Sequence, residues 1–362
     1  MDIPILDWQA LARQIKSWGQ ELGFQQVGIA GNDLAEHPAH LQRWLTQQFH
    51  GDMHYMERHG DKRGQPNLLV EGTRSVIAVR MDYLPPALPT QQCLQETQRA
   101  FVARYALGRD YHKLMRYRLQ QLANRISDKV GLFGYRAFVD SAPVLEKALA
   151  EQAGLGWIGK NTLLINSKAG SYFFLGELYT DLPLPTDTPA SFHCGSCSAC
   201  LDICPTNAFV GPFQLDARKC IAYLTIEYSG TIPIEFRTAM GNRIFGCDDC
   251  QMVCPWNKFA KPTSEQDFFP RHQLDSAMLL DLFNWSETQF LERFSGSAIR
   301  RTGYIGWLRN IAVALGNAEA DAEIVQALLA RKTQYADNEL LLEHIEWAIQ
   351  QQRTKVTHSA ND

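Results

Sequence analysis

The chain has 362 residues, of which 45% are hydrophobic and 20% charged, and its formal net charge is −4. That apolar content supports two or three packed domains and excludes a disordered scaffold, while the slight acidity excludes a generally basic nucleic-acid coat. The start, MDIPILDWQALARQIKSWGQELG, lacks an export signal's basic lead and apolar run, and no stretch approaches the roughly 18 apolar residues of a membrane span, so a cytoplasmic chain with no membrane partner is expected.

Residues 7–22 read as an amphipathic helix closed by Gly23, followed by a strand over 24–30 and a helix around 34–49. A polar loop, HGDMHYMERHGDKRGQPN, leads to a strand over 75–83 that Pro85 and Pro86 end. Asp110 suits the N-cap of a long helix in which Met115, Leu119, Leu122, Ile126 and Val130 make one apolar face, with Gly131 at its end. Residues 135–140 form a strand ending on a carboxylate, ahead of Ser141-Ala142-Pro143 and a helix over 144–153; ligand-contacting groups collect at such strand ends. Gly154, Gly156 and Gly159 give a flexible loop that opens onto a strand rather than a helix, which argues against a dinucleotide site. Segments 163–166 and 172–179 read as a hairpin, and the Pro-rich run 181–190 as a linker. The tail is helical, with IRRTGYIGWLRNIAVALGN and DNELLLEHIEWAIQQQ spaced like paired repeat helices. The expected segments are therefore 1–185, 186–262 and 263–362.

Eight of the nine cysteines fall in the middle segment, as Cys194-x2-Cys197-x2-Cys200-x3-Cys204-Pro205, Cys220, and Cys247-x2-Cys250-x3-Cys254-Pro255. Three thiolates at x2 spacing wrap one cluster from a single loop, and the fourth, before proline, reaches across to a neighbouring cluster. That crossing rule groups Cys194, Cys197, Cys200 and Cys254 around one [4Fe–4S] site and Cys204, Cys220, Cys247 and Cys250 around another. Structural zinc favours two separated Cys-x2-Cys knuckles, so an unbroken triple fits it poorly. Cys93, in PTQQCLQETQ, reads as a loop thiol.

Two cationic clusters stand out. Between 99 and 136 nine lysines and arginines, among them Arg104, Arg109, Arg116 and Arg118, face only Asp110 and Asp128, which describes either a solvated helix face or a polyanion surface. Arg300, Arg301 and Arg309, with Tyr304 and Trp307 between, combine cations with rings suited to bases.

About 185 residues precede the cysteines, more than an electron carrier requires. Clusters pass electrons singly, so a second cofactor is expected. The C-x3-C-x2-C motif of radical S-adenosylmethionine enzymes is absent. Asp52-Met-His54-Tyr-Met-Glu57 starts like the corrinoid motif Asp-x-His-x-x-Gly but lacks the glycine, so a corrinoid would bind without His54 as a ligand.

The combination GDMHYM, VDSAPVLEKALAEQAGLGWIGKNTLLI, the doubled cysteine motif, LDARKCIAYLTIEYSG and GNRIFGCDDCQMVCPWN resembles the epoxyqueuosine reductases over nearly the whole chain. The resemblance implies a cobalamin-dependent enzyme with two [4Fe–4S] clusters, related to reductive dehalogenases. It implies an α+β chain: a nitroreductase-like α/β corrinoid-binding domain, a bacterial ferredoxin-like two-cluster domain, and C-terminal HEAT-like helical repeats. The substrate would be epoxyqueuosine at the wobble position of a tRNA anticodon, with flavodoxin or ferredoxin as electron donor to a monomer.

In that scheme Asp140 is the expected proton donor, its carboxyl raised by burial against apolar neighbours, with a helix N-cap as its competing local role. Arg63 resembles a cobalamin-contacting position. Lys160 and Asn161 are expected to meet propionamide groups, and Tyr223 and Thr225 the cofactor tail. Glu227, Arg300, Arg301 and Arg309 are assigned to tRNA, while Trp157 and Trp256 serve packing or cofactor equally well. Two other classes fit the cysteines: an electron-transfer protein with no substrate of its own, which would carry no corrinoid, and a reductive dehalogenase, which has no need of the basic clusters.

Overall fold

In this computed structural model residues 6–359 are described; positions 1–5 and 360–362, the outer ends of the first and third expected segments, lie outside them. Helix α1 (Trp8–Glu21) is capped by Asp7, whose side chain accepts from the Ala10 amide at 3.0 Å, and Gly23 at φ 89° turns the chain into β1 (Gln26–Ala30). With β2 (Ser75–Asp82), β3 (Tyr135–Phe138) and β4 (Phe173–Thr180) this strand forms one antiparallel sheet in the order β1-β2-β4-β3.

Side chains alternate across that sheet with period two. Val27, Ile29, Ile77, Val79, Phe174 and Leu178 point one way, toward Leu11 and Ile15 of α1 and toward the long helix α2 (Tyr111–Val130). The predicted stripe of α2 is there: Met115, Leu119, Leu122 and Ile126 are buried, Asp110 caps the start and Gly131, at φ 82°, follows the end. Ala30, Val76, Ala78, Phe138 and Tyr179 point the other way, onto α3 (Glu146–Gln152). Gly28 allows this packing, because a β-carbon there would overlap the Ala153 carbonyl.

The expected hairpin of 163–166 with 172–179 does not form. Leu164–Ile165 pairs with Trp157–Ile158, and β4 lies inside the sheet, between β2 and β3. Both strand runs were correctly apolar, but partner choice is a long-range property.

Glu177 of β4 is 0% exposed, and neither carboxylate oxygen has a partner. Burial, then the nearby acids Glu146 and Asp140, push its carboxyl well above the usual range, so it is neutral. Glu177→Met is expected to raise stability by about 1–3 kcal/mol, since it replaces an unsatisfied polar group with an apolar one of similar length. A lower thermal midpoint for the variant would show that the carboxyl does have a stabilising partner.

The tail adds α4 (Gly303–Asn317), α5 (Ala322–Gln334) and α6 (Glu339–Ser359); α5 lies between the two predicted helices. Helix α4 is apolar nearly all round and buries Trp307, Leu308, Ile311, Val313 and Leu315, as a central helix must. One continuous core joins these residues to Ile221, Ile244 and Phe245 of the cysteine segment and to Val102 and Leu107. No helix among the described residues is long and apolar enough to cross a membrane.

Candidate active site and cluster sites

Cys194, Cys197, Cys200 and Cys254 line one cavity of about 320 Å³, with Lys160, Asn161 and Trp256 in its wall. Short helices at Ala199–Asp202 and Asp249–Met252 carry Cys200 and Cys250. Lys160 Nζ donates to the Gly195 and Cys197 carbonyls at 2.7 and 2.9 Å, and Trp157 Nε1 donates to Cys194 Sγ at 3.4 Å. Asn161 Nδ2 donates to the Cys250 carbonyl at 3.3 Å. Lys160 and Asn161 are thus engaged in holding the cysteine loops, a nearer task than the propionamide contacts expected of them. Trp157 is buried and meets Trp256 edge to face at 5.2 Å.

Cys220 lies near Cys204, and Cys247 near Cys220, while Cys250 feels Cys220, Cys204 and also Cys200 of the first set, so the two sets adjoin at Cys250. Burial raises the Cys220, Cys247 and Cys250 thiols, and the Arg243 guanidinium near Cys247 offsets only part of it. Tetrahedral zinc, with Zn–S near 2.3 Å, would draw its sulfurs to about 3.8 Å from one another. Among the described residues no three of these thiols come within 4.8 Å of each other. The donor set therefore fits a larger, multi-iron group better than a single ion. Cys93, expected in a loop, is instead buried on a short helix, where its thiol donates to the Ala100 carbonyl at 3.4 Å.

The second centre forms where β3 ends. Asp140 has φ 51°, a left-handed backbone that residues with a β-carbon rarely adopt. Its side chain does not cap α3, whose N-cap is Leu145. Instead Tyr111 Oη donates to Asp140 Oδ2 at 2.7 Å and His112 Nε2 lies 3.4 Å from the same oxygen. His112 Nδ1 is 2.6 Å from Asp110 Oδ1, so the imidazole bridges two carboxylates. Tyr111 is fixed by stacking on Phe174 at 3.8 Å.

This geometry reverses the expected electrostatics of Asp140. Burial alone would raise its carboxyl, but the hydrogen bonds from His112 and Tyr111 outweigh it and hold the group below the usual carboxylate range. For His112 burial works against the charged ring, yet the bonds to Asp110 and Asp140 push its pKa up to about 9. The proton near Asp140 therefore rests on His112 at neutral pH. A further carboxyl holds one too: burial, then the Asp140 charge, raise Glu146 to about 8. Neither His112 nor Glu146 carries a local sequence signal for this role; Asp110 at the helix cap was the one visible hint.

Arg63 is buried, donates from Nη2 to the Tyr55 carbonyl at 2.9 Å, and keeps Nε without a partner. Such an orphaned donor suits a ligand rich in amide and phosphate oxygens. Tyr223 Oη accepts from the Asp52 amide at 2.8 Å, and Gly51, at φ 55°, is where a β-carbon would strike that hydroxyl. Thr225 is fully buried, donating to the Ile221 carbonyl and accepting from the Gly246 amide, so its hydroxyl is spent on the backbone.

Of the residues assigned to tRNA, Arg301 is half exposed and pairs with Glu227 at 2.8 Å, and Arg300 is exposed. Arg309 departs from expectation. It is 1% exposed, and its guanidinium donates to the Leu224, Tyr228 and Gly230 carbonyls, which fixes α4 to the cysteine segment and leaves nothing for phosphate. Tyr304 and Trp307 are buried as well and cannot stack on bases. In the 99–136 cluster Arg104 is buried and Arg118 pairs with Glu265, while Arg109, Lys113, Arg116 and Lys129 remain exposed.

Known proteins share both the cysteine segment and the fold of the chain. A family model described as "4Fe-4S double cluster binding domain" matches residues 193–257, and one described as "Epoxyqueuosine reductase QueG, DUF1730" matches 63–141. An epoxyqueuosine reductase of Pseudomonas aeruginosa is 64% identical, over 94% of each chain. An epoxyqueuosine reductase solved with an epoxyqueuosine-modified tRNA-Tyr stem loop superposes with TM-score 0.82 at 28% identity, covering 95% of this chain and 99% of that one. A Bacillus subtilis epoxyqueuosine reductase, solved with its catalytic-aspartate loop swung out of the active site, gives TM-score 0.84 at 29% identity, covering 94% and 90%.

Proposed function

The chain belongs to the epoxyqueuosine reductase family, and from that premise we infer that it reduces epoxyqueuosine to queuosine at the wobble position of tRNA, removing the epoxide oxygen as water. Two [4Fe–4S] clusters feed the reaction, held by Cys194, Cys197, Cys200 and Cys254 and by Cys204, Cys220, Cys247 and Cys250. The single observation that carries the reading beyond electron transfer is Asp140, a strained carboxylate at a strand end, tied to a protonated histidine outside the cysteine segment.

Cobalamin, when bound, supplies the electron-rich centre that attacks a carbon–oxygen bond. The chain's own groups do the rest. Arg63, with its unpartnered Nε, and the Gly51–Tyr223 contact are the features that would hold the cofactor. Replacing an epoxide by a double bond consumes two electrons and two protons and releases one water. Negative charge growing on the departing oxygen draws a proton to Asp140 from His112, Asp140 hands it on, and the second proton comes from solvent, to which Asp140 is half exposed. Tyr111 keeps the carboxylate aimed while it is anionic. The anticodon loop is assigned to Glu227 and Arg301, which pair with each other near Asp140, and to the exposed Arg300.

The first domain is read as a nitroreductase-like α/β sandwich and the tail as short HEAT-type repeats. The protein is read as a cytoplasmic monomer reduced by a flavodoxin or ferredoxin. The test is anaerobic incubation of reconstituted protein with reductant and epoxyqueuosine-bearing tRNA, with and without cobalamin, then mass spectrometry of the nucleosides. Loss of one oxygen only with cobalamin is expected. No conversion with both clusters intact would return the chain to the electron-carrier class.

A further inference from the structure

The turn that carries Asp140 is short and tightly bonded. The Ser141, Ala142 and Val144 amides donate to the Val139, Asp140 and Ala142 carbonyls at 2.6, 2.7 and 2.8 Å. These bonds shape the turn but leave the amide of residue 140 itself, at the point where φ turns positive. That amide donates to Glu146 Oε1 at 2.5 Å, from the first residue of α3, so one side chain closes the turn from its far end.

Glu146 is not an ordinary helix-start acid. Such a residue is favoured as an anion in water beside the helix dipole. This one is part-buried and feels both the anionic Asp140 and the partnerless Glu177. A charge on Glu146 would stand against both the Asp140 carboxylate and Glu177, which disfavours it. A neutral Glu146 keeps an oxygen for the Asp140 amide without repelling the Asp140 carboxylate, which the Tyr111 hydroxyl and His112 then hold on the other side.

We propose that Glu146 is the positioning residue for Asp140: its carboxyl oxygen grips the backbone amide of residue 140, holds the left-handed conformation, and so keeps the carboxylate aimed at the reacting oxygen. The proposal rests on the reading of Asp140 as the group that delivers the proton.

Glu146→Gln and Glu146→Met separate this role from packing. Both side chains are uncharged and of similar length, but only glutamine offers an oxygen to the amide. Reconstituted enzyme is followed by kcat and KM for tRNA, and by hydrogen exchange of the peptide spanning 138–146 in the absence of tRNA. Glu146→Met is expected to lower kcat about 10–100-fold with KM within about twofold, the range a slightly misaimed group costs. Its peptide should exchange about 10-fold faster, while Glu146→Gln stays near wild type in both measurements. Unchanged exchange in Glu146→Met, or a Glu146→Gln enzyme as impaired as Glu146→Met, overturns the proposal. Failure of the Asp140 reading looks different: Asp140→Asn would retain full activity whatever the exchange of this peptide.

Discussion

Asp140→Asn is expected to lower conversion of epoxyqueuosine by about 10²–10⁴-fold, the range for a lost general acid, while both clusters load normally. The side chain keeps its shape and its hydrogen bond to Tyr111, so the loss measures proton delivery rather than collapse of the turn. The pH dependence follows from where the proton is stored. The folded pKa of His112 is raised from 6.5 to about 9, so the imidazolium persists throughout the neutral range and is lost as pH rises through about 9. Conversion in the wild type should therefore hold from neutral pH to near pH 8 and fall above about pH 9. The same proton contributes to stability, fully below about pH 6.5 and progressively less as pH rises through about 9. Single-turnover rates across pH 6–10 make the measurement. A wild-type profile that falls already below pH 7, or an active Asp140→Asn enzyme, would remove Asp140 and His112 from the chemistry.

Breaking either cluster should abolish turnover, and the choice of cysteine reports the ligand grouping. Cys254→Ser is expected to empty the site of Cys194, Cys197 and Cys200, whose cavity it shares, and Cys204→Ser to empty the site of Cys220, Cys247 and Cys250. Iron should fall from about eight to about four atoms per chain in each. Alkylation then identifies the freed thiols. In Cys254→Ser, labelling of Cys194, Cys197 and Cys200 with protection of the other four supports the crossed arrangement. Labelling of Cys247 and Cys250 instead would mean that each motif keeps its own fourth cysteine. Conversion should drop below detection in both variants, because the reaction takes two electrons per product and each must traverse the chain of centres.

What could be read in the sequence was local. Cysteine spacing gave the two-cluster reading, and the apolar period of 111–130 with Asp110 and Gly131 gave a helix within a residue of the observed one. Asp140 stood out as a charge at the end of an apolar strand. What could not be read depends on partners far away in the chain. The placing of β4 in the sheet interior needs β2 and β3, about 100 and 40 residues earlier. The charge state of Asp140 depends on Tyr111 and His112, from the start of another helix, and so ran opposite to an argument from its apolar neighbours. Arg309 looked like a phosphate ligand because three arginines fall close together; only the fold shows that one of them is turned inward onto carbonyls.

The core that Val102, Ile244 and Phe245 share with α4 also dictates an order of events at the ribosome. Synthesis runs from the amino terminus at about 5–20 residues per second, and domains usually consolidate as they emerge. Here the cysteine segment emerges with an open hydrophobic side, and residues 303–349, made later, are what close it. Native packing around the cysteine segment therefore waits until these later helices have been made, and stable iron loading follows them. A stop codon shortly before residue 303 would release a protein with all eight cluster cysteines present and its central core exposed, a substrate for proteolysis rather than a smaller working enzyme.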